Sequence, residues 1–158
     1  MKCSLLLHTQ RVDRAEEFVT SRAIQETSRA AEAAGFDAAS VTDHPFPDDE
    51  WMSAGGHHAL DPFVALSFVA AATTRLRLLT YIYVLPYRNP FLTAKAVASL
   101  DAVSGGRLIL GAAAGYLEPE FRALGVDFAE RNDLADEAIR AMKVAWSGSG
   151  VRFEGRHF

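Results

Sequence analysis

The stretch Leu100-Asp-Ala-Val-Ser-Gly-Gly-Arg-Leu-Ile-Leu-Gly-Ala-Ala-Ala-Gly-Tyr-Leu-Glu-Pro-Glu-Phe121 decides the fold class. Val97, Leu100 and Val103 recur at helical spacing, and Gly105-Gly106 provides the positive φ that ends a helix. Leu108-Ile109-Leu110 follows at once, short, apolar and bounded by turn residues, which predicts a strand buried on both faces, as in a parallel sheet. The next five residues, Gly111-Ala-Ala-Ala-Gly115, carry no bulky side chain, so a flat molecule could lie against their backbone. Close packing of strand against helix would explain them equally well.

The same helix-stop-strand unit recurs on both sides of this stretch. Residues 3–8 predict a first strand. A helix follows from about Asp13, which can cap the turn with Glu16 three residues on, and continues through Ile24, Thr27, Ala31 and Ala34 to Gly35. Ala38–Val41 predicts the second strand, and Asp61-Pro62, an N-cap with proline at the first helical position, opens a helix through Leu66 and Val69 to Thr74. Leu76–Leu85 reads as a long third strand, after which Asn89-Pro90 repeats the capping device. Asn132 or Asp133 opens a last helix, with Leu134, Ala138, Met142 and Ala145 inward, before Ser147-Gly-Ser-Gly150.

Four strands alternating with four helices require parallel pairing with crossovers, which leaves a doubly wound sheet or a (β/α) barrel. The strand period of about 35 residues suits a barrel, but a closed eightfold barrel takes about 250 residues. Four repeats are half of one, so the chain either stops midway or completes its sheet by another route.

Composition narrows the function classes. The chain has 158 residues, 49% of them hydrophobic, enough for one domain spanning 1–158. Its net charge of −4, with no basic stripe, speaks against nucleic acid and against an anionic membrane surface. One cysteine, Cys3, cannot form an internal disulfide and reads as a small core residue, so the expected compartment is the reducing cytoplasm. Leu5-Leu6-Leu7 is too short for a signal peptide, and no apolar run reaches the roughly 18 residues of a membrane helix.

In parallel α/β folds chemistry gathers at the C-terminal ends of the strands. Those ends are His8-Thr9-Gln10, Thr42-Asp43-His44-Pro45, Thr80-Tyr81-Ile82-Tyr83 and Ala113-Ala114-Gly115-Tyr116. Adjacent Asp43 and His44 can form an oriented acid or base, because a carboxylate fixes an imidazole and raises its basicity; Asp43 as a loop cap beside a rim histidine is the plainer alternative. The long segment Phe46–Leu60, with Trp51, His57 and His58, has the length of a lid or binding loop. A metal held by His44, His57 and His58 lacks any supporting ligand pattern, so no metal site is assigned. Gly-Ala-Ala-Ala-Gly lacks the lysine and Ser/Thr of a phosphate loop, and Arg88 reads as a solvated cation rather than an anion receptor.

Gly35-Phe-Asp37 leading to Val41-Thr-Asp-His44, the run Val84-Leu-Pro-Tyr-Arg-Asn-Pro90, and above all Leu100-Asp-x-x-Ser-Gly-Gly-Arg107 with Gly111, Gly115 and Glu120-Phe121 resemble the luciferase-like monooxygenase superfamily. Within it the chain is most similar to the branch that uses coenzyme F420, and the match extends through Val151–Phe158. The resemblance implies a (β/α)8 TIM-barrel, with this chain covering its first four βα units. It further implies a flavin- or deazaflavin-dependent oxidoreductase, with F420 or alternatively FMN in the barrel mouth and a small organic substrate.

By that resemblance Asp43 lines the cofactor pocket and His44 exchanges a proton during hydride transfer. Thr80, Tyr81 and Ile82 fall on a bulged strand that backs the ring, often through a non-proline cis peptide, and Ala114, Gly115 and Tyr116 border the ring on the next strand. Relatives that oxidise sugar phosphates carry a glutamate near the Tyr116 position, so that substrate is not expected. A half-barrel would leave open edges at Cys3–His8 and Arg107–Gly111, which predicts a homo-oligomer. Two other readings remain: a non-catalytic half-barrel acting as a binding or dimerisation module, and a metal-dependent hydrolase built on Asp43 and the histidines.

Overall fold

A computed structural model describes all residues, Met1–Phe158. Strands β1 (Ser4–Leu6), β2 (Ala38–Val41), β3 (Arg77–Thr80) and β5 (Leu108–Ile109) form one parallel sheet in sequence order. Two shorter strands, β4 (Tyr83–Val84) and β6 (Ala112–Ala113), pair in parallel as a second ladder beyond β3 and β5. Between sheet strands run α2 (Ser21–Ala33), α4 (Pro62–Ala72) and α5 (Pro90–Ser104), and α7 (Arg131–Trp146) follows the last strand. Four strand-helix units with sequential parallel neighbours are half of an eightfold barrel.

Local chemistry accounts for most of the boundaries. Asp61 accepts hydrogen bonds from the N–H groups of Phe63 and Val64, and Asn89 from that of Phe91, with a proline next to each cap. Each such cap stabilises its helix by about 1 kcal/mol. Gly105, at φ 72°, ends α5 in the left-handed region. Arg107 then turns back under the sheet. Its guanidinium donates to the carbonyls of Ala70, Leu76 and Ser104 and to Thr73 Oγ1, joining the ends of α4 and α5 to the start of β3. This explains the Ser-Gly-Gly-Arg block: the glycines reverse the chain and the arginine fastens three elements.

The main core lies between the sheet and its helices, where Leu7, Ile24, Val41, Leu66, Val69 and Leu78 are buried together. A second cluster packs Tyr83, Leu85 and Ala94 against Ala138 and Met142 of α7.

Several sequence expectations need correction. The first helix does not run unbroken from Asp13: a 3-10 turn (Val12–Arg14) and the short helix α1 (Ala15–Phe18) precede α2, whose N-cap is Thr20, accepting from Ala23 N–H. Asp13 pairs with Arg11 instead of capping. The third strand is interrupted at Tyr81-Ile82, whose peptide bond is cis; β3 and β4 are separate, and a 3-10 turn spans Leu85–Tyr87. Strand β5 is half-buried because no strand covers its outer edge, where Leu85, Val97, Leu108, Leu110, Met142 and Trp146 line an apolar groove. Val103 is exposed; Ser104, seven residues after Val97 and thus on the same face, takes the inward place. Cys3 is exposed rather than in the core, at the margin of the edge strand β1. The last helix starts at Arg131 with no side-chain cap. Two helices inside predicted loops were not legible, α3 (Asp49–Ser53) and α6 (Glu118–Ala123).

Candidate active site

The strand ends converge on a cavity of about 420 Å³. It is lined by Asp43 and His44 from the end of β2, by Tyr81 and Ile82 from the break between β3 and β4, and by Ala114, Gly115 and Tyr116 after β6. Thr42, His57, Val84 and Ala113 complete the lining, and none of these residues is Lys or Arg. Of the eight residues singled out in the sequence, only Thr80 lies outside it. The Thr80 side chain is buried and donates to the Gly111 carbonyl at 2.8 Å, holding the end of β3 to the segment between β5 and β6.

That contact explains Gly111. A Cβ there would stand 2.3 Å from the Thr80 carbonyl oxygen, so the backbones meet only because the side chain is absent. The glycine serves strand packing, and the small residues that do face the cavity are Ala113, Ala114 and Gly115.

Asp43 reaches the cavity rim, yet its carboxylate is engaged inside the protein. Its two oxygens accept from Arg88 at 2.7 and 2.8 Å, and one also accepts from the Val84 N–H at 3.0 Å. The pair ties the end of β2 to β4 and to the turn before α5. Arg88 is therefore not a solvated cation. Burial disfavours its charge, but the bonds and charge of Asp43 outweigh that and hold its pKa above the ordinary value.

His44 is held on three sides, its side chain only 10% exposed. Its Nδ1 lies 3.2 Å from an oxygen of Glu120, a residue of α6 that is fully buried. The indole of Trp51 in α3 packs against the ring at 4.5 Å between centroids, and His57 stands edge-on at 5.0 Å. Nε2 points toward the Tyr116 hydroxyl, 3.5 Å away.

Glu120 accepts two further bonds, from the Tyr87 hydroxyl at 2.9 Å and from the Phe46 N–H at 3.1 Å. Burial pushes the Tyr87 phenol far above its ordinary pKa, and the carboxylate it bonds pushes the same way, so Tyr87 is a donor at neutral pH. Burial, followed by the Glu120 charge, also raises the Tyr116 pKa. Glu120 stood in the sequence only as part of a motif. Nothing local marks it, because its partners are 33 to 76 residues away in the chain. His58 is exposed, and no three His, Cys, Asp or Glu side chains gather as a metal-ligand set.

The arrangement offers a flat apolar wall of Ile82, Val84, Ala113 and Ala114 facing a histidine whose orientation is imposed from behind. Such a wall suits the face of a fused ring, while the histidine suits proton exchange with a molecule lying beside it.

Comparison with known proteins agrees with this architecture. The chain belongs to the luciferase-like monooxygenase family, whose sequence profile matches residues 1–158. An F420-dependent glucose-6-phosphate dehydrogenase of Mycobacterium avium is 33% identical over 149 residues, covering 91% of this chain and 43% of that protein. The oxygenating constituent of 3,6-diketocamphane monooxygenase from Pseudomonas putida, a type II Baeyer-Villiger enzyme solved with FMN, superposes with a TM-score of 0.83 at 21% identity, over 100% of this chain and 42% of that one. An F420-dependent secondary alcohol dehydrogenase solved with an F420-acetone adduct gives a TM-score of 0.78 at 24% identity, over 100% of this chain and 46% of that one. The chain thus spans less than half the length of each. Half-barrel topology and partial coverage tell the same story.

Proposed function

We propose that this chain is the N-terminal half of the barrel of an F420-dependent oxidoreductase acting on a small uncharged alcohol or carbonyl compound, with FMN as the alternative cofactor. The observation that carries the reading is His44, fixed by Glu120 and Trp51 with Nε2 at the edge of an apolar cavity. When bound, the deazaflavin supplies the hydride chemistry. Ile82, Val84, Ala113 and Ala114 would hold the ring by contact with its face, and small residues there leave room for it. His44 takes a proton at Nε2 from a substrate hydroxyl, or returns one to a carbonyl oxygen. Trp51 and His57 cover the imidazole and limit water access to it.

Tyr116 favours an uncharged substrate, because it stands where the resemblance places a glutamate in sugar-phosphate oxidisers. The FMN reading draws on the likeness to the FMN-bound monooxygenase.

Titration of the purified protein with F420 and with FMN, followed by fluorescence, tests the proposal. In a protein with the complete barrel, saturable binding of F420 and secondary-alcohol oxidation are expected, with His44→Asn retaining binding and losing roughly a hundredfold or more in kcat, while this half of the site by itself binds weakly. Binding of neither cofactor would overturn the reading, as would full turnover in His44→Asn.

A further inference from the structure

We infer that Glu120 is a positioning residue for His44: it fixes which ring nitrogen carries the proton and couples that choice to the start of the loop over the site. The inference builds on the proposed role of His44 and adds a second residue to it.

The hydrogen-bond inventory around the carboxylate selects the tautomer. Tyr87 and the Phe46 amide can only donate in the contacts they make with Glu120. Accepting from both, the Glu120 carboxylate has acceptor capacity left for a third donor, and His44 Nδ1 at 3.2 Å is placed to be that donor. In the neutral imidazole Nε2 is then the bare nitrogen. It faces Tyr116, whose hydroxyl donates toward it across 3.5 Å and would yield that place to a substrate hydroxyl. A ring with the opposite tautomer would set a lone pair against the carboxylate and present N–H to the cavity. It could not accept a proton there.

The same carboxylate governs geometry. One oxygen holds the Phe46 N–H, two residues past His44, while the other holds His44 and Tyr87. Phe46 begins the segment that delivers Trp51 and His57 to the imidazole, so Glu120 anchors both the ring and the start of its cover. Because Glu120 is fully buried and Tyr87 nearly so, these bonds are shielded from water and hold their geometry.

Nitrogen NMR of the full chain without cofactor, with ¹⁵N-labelled histidine and His44 assigned from His44→Gln, reads the tautomer directly. The wild-type neutral ring is expected to show a protonated Nδ1 and a bare Nε2, with the Nδ1 proton shifted downfield by its carboxylate partner. Glu120→Gln has one carbonyl oxygen for three donors and should populate both tautomers, whereas Tyr87→Phe, which keeps the carboxylate, should leave Nδ1 protonated. A wild-type ring protonated on Nε2 would overturn the inference without any variant being needed. So would an unchanged tautomer in folded Glu120→Gln. Because no cofactor enters the measurement, its failure is distinct from a failure to bind F420 or FMN.

Discussion

Arg88 and Asp43, 45 residues apart in the chain, join through two hydrogen bonds of 2.7 and 2.8 Å directly behind the candidate active site. The Asp43 side chain is 1% exposed, that of Arg88 25%. The pair closes the end of β2 onto β4, and His44 is the residue next to it. A sequence reading that sees a free carboxylate beside a histidine therefore meets a structural brace, and the carboxylate that touches the imidazole comes from Glu120.

Arg88→Met leaves Asp43 buried with only the Val84 N–H as partner. Removing one member of a buried pair costs about 3–5 kcal/mol, and partial exposure of Arg88 brings the expected loss to about 2–3 kcal/mol. The double variant Asp43→Asn with Arg88→Met should be more stable than Arg88→Met alone. Urea unfolding of the three proteins checks both statements, and a single-variant loss near zero would refute the brace.

Arg107→Lys should cost about 2 kcal/mol although the charge is kept. The guanidinium reaches four oxygens in different directions, on Ala70, Thr73, Leu76 and Ser104, and one ammonium cannot span them. For a chain of this size that corresponds to a fall in Tm of roughly 4–8 °C, measured by circular dichroism.

Gly111→Ala places a methyl 2.3 Å from the Thr80 carbonyl oxygen and forces β3 and the segment before β6 apart. Overpacking of this kind costs about 1–3 kcal/mol. Because Tyr81 and Ile82 follow Thr80 directly, cofactor affinity should fall along with unfolding stability. Wild-type affinity in this variant would show that the strand break does not shape the cavity.

Acid should destabilise the protein through two carboxylates remote from the site. Burial opposes the charge of Glu32, but its side chain accepts from the backbone N–H groups of Thr74, Arg75 and Leu76, and the net effect lowers its pKa. Glu137 accepts likewise from Arg156, His157 and Phe158, and its pKa is lowered too. A group with a depressed folded pKa stabilises fully above its unfolded value, about 4.3 for Glu, and that stability is lost as pH falls from there through the folded pKa. Unfolding midpoints measured from pH 6 to pH 3 should decline below about pH 4.3, and Glu32→Gln and Glu137→Gln should each flatten the decline.

The parts of the fold that were legible share a short range. Asp61-Pro62, Asn89-Pro90 and Gly105 act on backbone groups one to three residues away, so the residue types and their order suffice to place those helix ends. The parallel sheet followed from repetition of the unit. What misled were segments where distant groups compete with local propensity. The run Leu76–Leu85 is apolar enough for one strand, but it breaks where β3 and β4 turn to pair separately with β5 and β6. Asp13 has the type and spacing of a cap, but Arg11 captures its carboxylate.

By itself, then, the sequence determined the α/β repeat, the capped helices and the strand-end residues that line the cavity, because these depend on period and near-neighbour hydrogen bonding. Tertiary structure alone decided the electrostatic pairing: Asp43 went to Arg88, and His44 went to Glu120 across 76 residues. Burial is the physical reason. Each polar group removed from water must find a partner, and which partner stands within hydrogen-bond reach is set by how the helices and strands pack rather than by the residues beside it in the chain.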